Sequence, residues 1–173
     1  MVGGKRRLSE GGTRGGHPRK VLFVCRANVC RSPMAEAILD ARAQDGRLPL
    51  RAASAGVAAL AGEEMAPNSR AALEEVGIHA GGHSARQVGE AMLGEVDLVL
   101  AMSPRQVAVL QQRFGAPPDR VYTLPEYALG TPPEEGIPDP YGHTMTAFRA
   151  SVRQLLECID GLVGRLEREG ELR

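Results

Sequence analysis

The chain has 173 residues and a mass of 18.4 kDa, with 43% hydrophobic and 24% charged residues, which fits a single core and argues against a second domain. Its formal charge is zero, yet Lys5, Arg6, Arg7, Arg14, Arg19 and Lys20 meet a single acid, Glu10, over the first 20 residues, so the body is mildly acidic and a general nucleic-acid binder is disfavoured. Lys5 and Lys20 are the chain's lysines, which excludes Schiff-base catalysis and a Walker-type phosphate lysine from the body.

No apolar run approaches the roughly 20 residues of a membrane-spanning helix. No apolar stretch precedes Val21, so the N-terminus does not read as a secretory signal. The cysteines are Cys25, Cys30 and Cys158, an odd count that points to reduced thiols and a cytoplasmic setting.

Residues 1–19, with glycine at 3, 4, 11, 12, 15 and 16, read as a flexible basic tail ahead of a domain over 20–169, with 170–173 as the C-terminal end. The first strand is expected at 21–24, followed by a helix over 34–42 introduced by Ser32-Pro33. A weaker strand is expected at 50–54 and a helix at 69–76. A strand at 96–101, a helix at 105–114 behind Ser103-Pro104 and a strand at 121–124 come next. The stretch 125–142, with prolines at 125, 132, 133, 138 and 140, reads as loop. Phe148, Val152, Leu155, Ile159, Leu162 and Leu166 then form the stripe of one long amphipathic helix, which packs on the sheet rather than forming a coiled-coil seam. Alternating β and α elements imply a single-domain α/β fold, a doubly wound parallel sheet with helices on both faces and a ligand site beyond the carboxyl ends of the strands.

The first strand runs directly into Cys25-Arg26-Ala27-Asn28-Val29-Cys30-Arg31-Ser32, and Pro33 opens the helix. A cysteine at a strand's carboxyl end faces the amide-rich start of that helix, where backbone N–H groups and the helix dipole form an anion cradle of phosphate size and favour the thiolate. Arg31, six positions after Cys25, can return its planar fork of donors to the same anion. Nucleophile, cradle and clamp thus fall within eight residues, too ordered for an inert buried cysteine beside an incidental turn. Zinc bound by Cys25 and Cys30 with His79 or His83 is disfavoured. The spacer is long, there is no second cysteine pair, and Arg31 repels a cation.

The loop CRANVCRSPMAEAIL (25–39) resembles the signature of the low-molecular-weight protein tyrosine phosphatases. SAGV (54–57), HSARQ (83–87), VDLVLAM (96–102) and IPDPYG (137–142) follow in that family's order and spacing, so the resemblance covers about residues 20–169. It implies a four-stranded parallel sheet, phosphomonoester hydrolysis without metal or other cofactor, and a cysteinyl-phosphate intermediate. Cys25 is then the nucleophile, Arg31 the phosphate-binding group and Asp139 the general acid. Expelling an alkoxide or phenoxide requires such a proton donor. The phosphate-binding loop also comprises Arg26, Ala27, Asn28, Val29, Cys30 and Ser32. Within it Ser32 donates to the Cys25 sulfur, Asn28 adopts the left-handed backbone of an anion nest, and His83 buttresses Asn28. Cys30 matches a second loop cysteine able to form a reversible disulfide with the nucleophile. Tyr141 forms one wall of the cleft and Leu60 the other, while Cys158 is an inert core residue.

Ala27 and Arg26 depart from a usual glycine and a usual small or aliphatic residue. Ala27 strains the nest if its position needs positive φ, and Arg26 adds positive charge near the mouth. A bacterial branch that hydrolyses phosphoarginine shares TLPEY and the aromatic-glycine pair Tyr141-Gly142, but has threonine where this chain has Val29. Val29, HSARQ and IPDPY favour phosphotyrosine, with protein-arginine phosphatase as the alternative. Arsenate reductases on the same fold need two further cysteines near the third strand, and this chain has none between Cys30 and Cys158. The implied partners are a phosphorylated protein substrate and competing phosphate-like anions, with neither a membrane nor nucleic acid.

Overall fold

A computed structural model of the chain describes residues 18–172, so most of the expected tail, residues 1–17, lies outside the described residues. Four strands, β1 (Arg19–Cys25), β2 (Leu50–Gly56), β3 (Leu98–Ala101) and β4 (Val121–Thr123), form one parallel sheet in the order β2-β1-β3-β4. The expected doubly wound α/β architecture is therefore present. Arg19, assigned from sequence to the tail, opens β1 because it pairs in register with Leu50, and its guanidinium forms an ion pair with Glu171.

Alternation along β1 divides the interior. Val21, Phe23 and Cys25 enter one core with α1 (Arg31–Gly46), α2 (Pro67–Glu75) and the long C-terminal helix, whereas Leu22 and Val24 enter a second. The second core is roofed by α3 (Glu90–Gly94) and α4 (Pro104–Phe114). Burial on both faces explains why β1 reads as a continuous apolar run.

Two short helices escape the periodicity: α3, and α5 (Leu124–Leu129) at the start of the stretch expected to be loop. The α5 signal lies in its ends. Thr123 caps it by accepting from the Glu126 amide, Pro125 sits in the first turn, and Gly130 closes it at φ 69°. Leu124 accordingly belongs to helix rather than strand, and Val96 and Asp97 precede β3. The last helix, α6 (Met145–Arg168), buries its whole predicted stripe within the chain, against α1, α2 and α5.

The chain leaves β1 for β2 on one side of the sheet and recrosses to β3 on the other. Such a reversal opens a crevice at the strands' carboxyl ends, and Cys25 is the last residue of β1.

Candidate active site

The loop between β1 and α1 is held from outside by its carbonyls. Cys25 O accepts from Val57 N at 3.0 Å, Arg26 O from Ala58 N at 2.9 Å, Ala27 O from Leu60 N at 3.0 Å, Val29 O from Ala66 N at 2.9 Å and Cys30 O from Met34 N at 3.1 Å. Asn28 O lies 2.7 Å from His83 Nε2. With successive carbonyls turned outward, the amides turn inward. Among the described residues no backbone carbonyl accepts from Ala27, Val29 or Cys30 N–H, the arrangement that makes an anion nest.

Asn28 turns the corner at φ 60°, and Ala27 is not among the positive-φ residues, so the alanine is accommodated without left-handed strain. The cost of a left-handed non-glycine residue is offset by a buried network. Asn28 Nδ2 donates to Ser32 Oγ at 2.8 Å and Ser54 Oγ at 2.9 Å, and Asn28 Oδ1 accepts from Arg86 N at 3.0 Å. Ser54 in turn donates to Glu36 on α1, and its carbonyl accepts from Arg86 Nε at 3.0 Å. Glu36, Ser54 and Arg86 carry structural work that no spacing rule announced. All three lie inside the motifs at 25–39, 54–57 and 83–87, the one signal the sequence carries for them.

Cys25 Sγ sits 3.0 Å from Ser32 Oγ and accepts from Asn28 N at 3.3 Å. Gly56 stands immediately behind, and a Cβ there would lie 2.5 Å from Arg26 O. β2 therefore approaches the loop as closely as backbone permits.

Arg31 is buried on the first turn of α1, where it donates through Nη1 to Ile137 O at 2.9 Å and pairs through Nη2 with Asp139 Oδ2 at 3.2 Å. The Asp139 loop is pinned to the sheet edge, since Ile137 N donates to Met102 O at 2.8 Å just beyond β3. Asp139 is half exposed, and its Oδ1 accepts from Tyr141 N at 3.1 Å. Cys25, Arg31, Ser32, Asn28, His83 and Asp139 are thus brought together, with Arg26 exposed at the rim.

Tyr141 is 58% exposed and Leu60 45%, which leaves both free to line the mouth. Val29 and Cys30 are buried under the loop. Burial pushes the Cys30 thiol up to about 11, the nearby Ser69 hydroxyl pulling the other way, so Cys30 stays protonated at neutral pH. Cys25, Cys30 and Cys158 are all unbridged. Cys25 and Cys30 do not gather with His79 or His83 into a ligand set. Among the described residues no group of three His, Cys, Asp or Glu side chains is placed to hold a metal ion. Among them too, no helix is long and apolar enough to cross a membrane.

A cysteine held over inward amides, a buried arginine and a loop carboxylate, set at the switch point of a doubly wound sheet, define an enzyme class built around oxyanion chemistry at sulfur. The chain belongs to the low molecular weight phosphotyrosine protein phosphatase family, whose family model matches residues 20–172. It is 34% identical over 152 residues to a protein-arginine-phosphatase of Geobacillus stearothermophilus, covering 88% of this chain and 99% of the relative. Over 138 residues it is 35% identical to the low molecular weight protein-tyrosine-phosphatase Wzb of Salmonella typhi, covering 80% of this chain and 87% of the relative. Among solved structures, a cysteine-to-serine mutant of an arginine phosphatase with a phosphorylated active-site serine matches with a TM-score of 0.81 and 32% identity, covering 86% of this chain and 96% of that one. The chain is a phosphatase of this family, with Cys25 in its phosphate-loop region.

Proposed function

We propose that the protein hydrolyses phosphotyrosine in protein substrates through a cysteinyl-phosphate intermediate. The observation that carries this reading is the convergence on one spot of Cys25 Sγ, the Asn28 amide and the Ser32 hydroxyl, beside the Arg31–Asp139 pair. The phosphoryl oxygens enter the nest of amides, and Arg31 supplies charge as the equatorial oxygens spread in the transition state. Its buried Nε, without a protein partner among the described residues, is a donor such an anion satisfies.

Cys25 Sγ attacks phosphorus while the bond to the phenolic oxygen breaks, and Asp139 delivers its proton to that oxygen. Asp139, now ionised, takes a proton from water, whose oxygen attacks phosphorus and breaks the phosphorus–sulfur bond. Ser32 Oγ, 3.0 Å from sulfur, stabilises the departing thiolate. Asn28 and His83 hold the loop. Arg26, Ala27, Val29 and Cys30 complete the phosphate-binding turn, with Arg26 at its rim. Neither metal nor other cofactor takes part.

Val29 presents no hydroxyl at the base of the loop, and Leu60 and Tyr141 give the mouth apolar flanks suited to an aryl ring. These features support phosphotyrosine. The likeness to arginine phosphatases of 34% identity supports phosphoarginine as the second reading. The buried, unbridged thiols support a reducing cytoplasmic setting, and phosphate, vanadate and arsenate should compete at the loop.

Phosphate release from matched phosphotyrosine and phosphoarginine peptides, in EDTA and with Cys25→Ser as control, tests this reading. Turnover of phosphotyrosine that Cys25→Ser abolishes is expected. A preference for phosphoarginine moves the chain to the second reading, and inactivity on both refutes the enzyme mechanism.

A further inference from the structure

A cavity of about 330 Å³ lies beside the mouth and takes no part in the mechanism above. Phe148, Ala66 and Pro67 give it an apolar floor and side, the Tyr141 ring forms a wall, and Asn68 and His143 add polar edges. Among the described residues no Asp, Glu, Lys or Arg lines it.

Two of its borders are fastened to the catalytic loops. Ala66 donates its amide to Val29 O at 2.9 Å, so one border moves with the phosphate-binding turn. Tyr141 donates its amide to Asp139 Oδ1 at 3.1 Å, so the opposite border moves with the acid. The turn that carries both Tyr141 and His143 is closed by His143 N donating to Pro140 O at 3.0 Å. The cavity is therefore tied to both catalytic loops, through Ala66 to the phosphate-binding turn and through Tyr141 to the acid.

We propose that this cavity is a substrate subsite that receives an uncharged aromatic or large aliphatic side chain within two residues of the phosphorylated one, and so helps select among phosphoprotein sequences. The inference rests on the phosphatase reading. An extended peptide advances about 3.3–3.6 Å per residue. Tyr141, whose amide lies 3.1 Å from Asp139 Oδ1, sets the cavity wall beside the acid that protonates the leaving oxygen, so the side chain that enters it belongs to a near neighbour of the phosphorylated residue. The volume lies at the small end of ligand cavities, suited to one large side chain rather than a cofactor. With no Asp, Glu, Lys or Arg in its lining, the cavity offers no fixed charge to offset the desolvation of an acidic or basic neighbour.

The test compares kcat/KM for phosphotyrosine peptides carrying a single Phe at −2, −1, +1 or +2 in an otherwise Ser/Gly background, each normalised to kcat/KM for phenyl phosphate. One Phe position should raise the normalised value about tenfold over the all-Ser/Gly peptide, and Asp at that position should remove the gain. Asn68→Trp, on the exposed first turn of α2 and directed at the cavity, should cut the Phe advantage to under threefold. If the native enzyme turns over phenyl phosphate but no Phe position exceeds twofold, or if Asn68→Trp leaves the advantage intact, the subsite is refuted while the phosphatase reading stands. Absence of turnover on phenyl phosphate overturns that reading, and the subsite with it.

Discussion

Gly56→Ala offers a sharp test of how the nucleophile loop is positioned. An added Cβ would stand 2.5 Å from Arg26 O and 3.1 Å from both Ala27 C and Asn28 N, all backbone atoms, so no side chain can rotate away. Relaxing the shortest contact to an ordinary 3.4 Å separation requires about 0.9 Å of movement. β2 cannot retreat, because Gly56 N donates to Arg86 O at 2.9 Å, Val88 N donates to Gly56 O at 2.9 Å and Gly56 is in register with Cys25. The displacement therefore falls on residues 26–28, which carry the turn at Asn28 and the amide directed at Cys25 Sγ.

Overpacking of this kind costs about 1–3 kcal/mol of stability. A misplacement of about 1 Å in a catalytic constellation costs on the order of 100-fold in rate. Steady-state kinetics on an aryl phosphate, vanadate binding and thermal unfolding should be measured on Gly56→Ala together. The expected result is a folded protein with a lowered melting temperature, kcat/KM down about 100-fold and weaker vanadate binding. A folded Gly56→Ala protein with kcat/KM within threefold of the parent would show that the loop's position is not set by its approach to β2.

Two further predictions concern proton chemistry. Asp139→Asn cannot donate a proton to the leaving oxygen, so kcat on phenyl phosphate should fall about 10²–10³-fold, while an ester with a strongly acidic phenol loses much less; an equal loss on both would assign Asp139 a role in binding only. Burial pushes the Cys158 thiol up to about 12 and the Cys30 thiol up to about 11, against 9.0 for a free thiol. Above about pH 9 the unfolded chain releases these protons while the fold retains them, so stability is flat with respect to them below that point and falls as pH rises toward 11 and 12. Each such thiol contributes a slope of up to about 1.4 kcal/mol per pH unit. Urea midpoints at pH 8 and pH 10.5 should therefore converge in Cys158→Ala relative to the parent, and an equally steep fall in the variant would refute this account.

The residues from Cys25 to Ser32 were legible because the nucleophile, the amides and the clamp are contiguous in sequence and bracketed by a β-branched run and a Ser-Pro start. Asp139 was far less so. On its own it reads as a turn residue before Pro140, and only its place in IPDPYG pointed to the site. The contacts that fix it, Arg31 to Ile137 across 106 positions and Ile137 to Met102, are products of the sheet edge rather than of local pattern. The Glu36–Ser54–Asn28–Arg86 network was hidden for the same reason, since its members come from α1, β2 and two loops. α5 escapes the sequence pattern because six residues are too few to show a period, its N-cap Thr123 reads as the end of a strand, and Pro125 and Gly130 read as part of a proline-rich loop.

The same long-range ties explain why a nest of inward amides persists at all. Amides concentrated around a point repel one another and the Arg31 guanidinium, and a free loop would turn several outward to water. Here the opposing carbonyls are bound by Val57, Ala58, Leu60, Ala66 and Met34 amides and by His83, so reversing any one peptide would sacrifice a formed hydrogen bond. The segment from 57 to 66 supplies four of those donors and follows directly on Gly56, the residue whose missing side chain permits the approach. Preorganisation of the phosphate loop is thus built as much from β2 and the residues after it as from the loop's own sequence. An anion entering the cradle finds its donors already oriented, which is the condition for electrostatic stabilisation to favour the transition state without reorganisation.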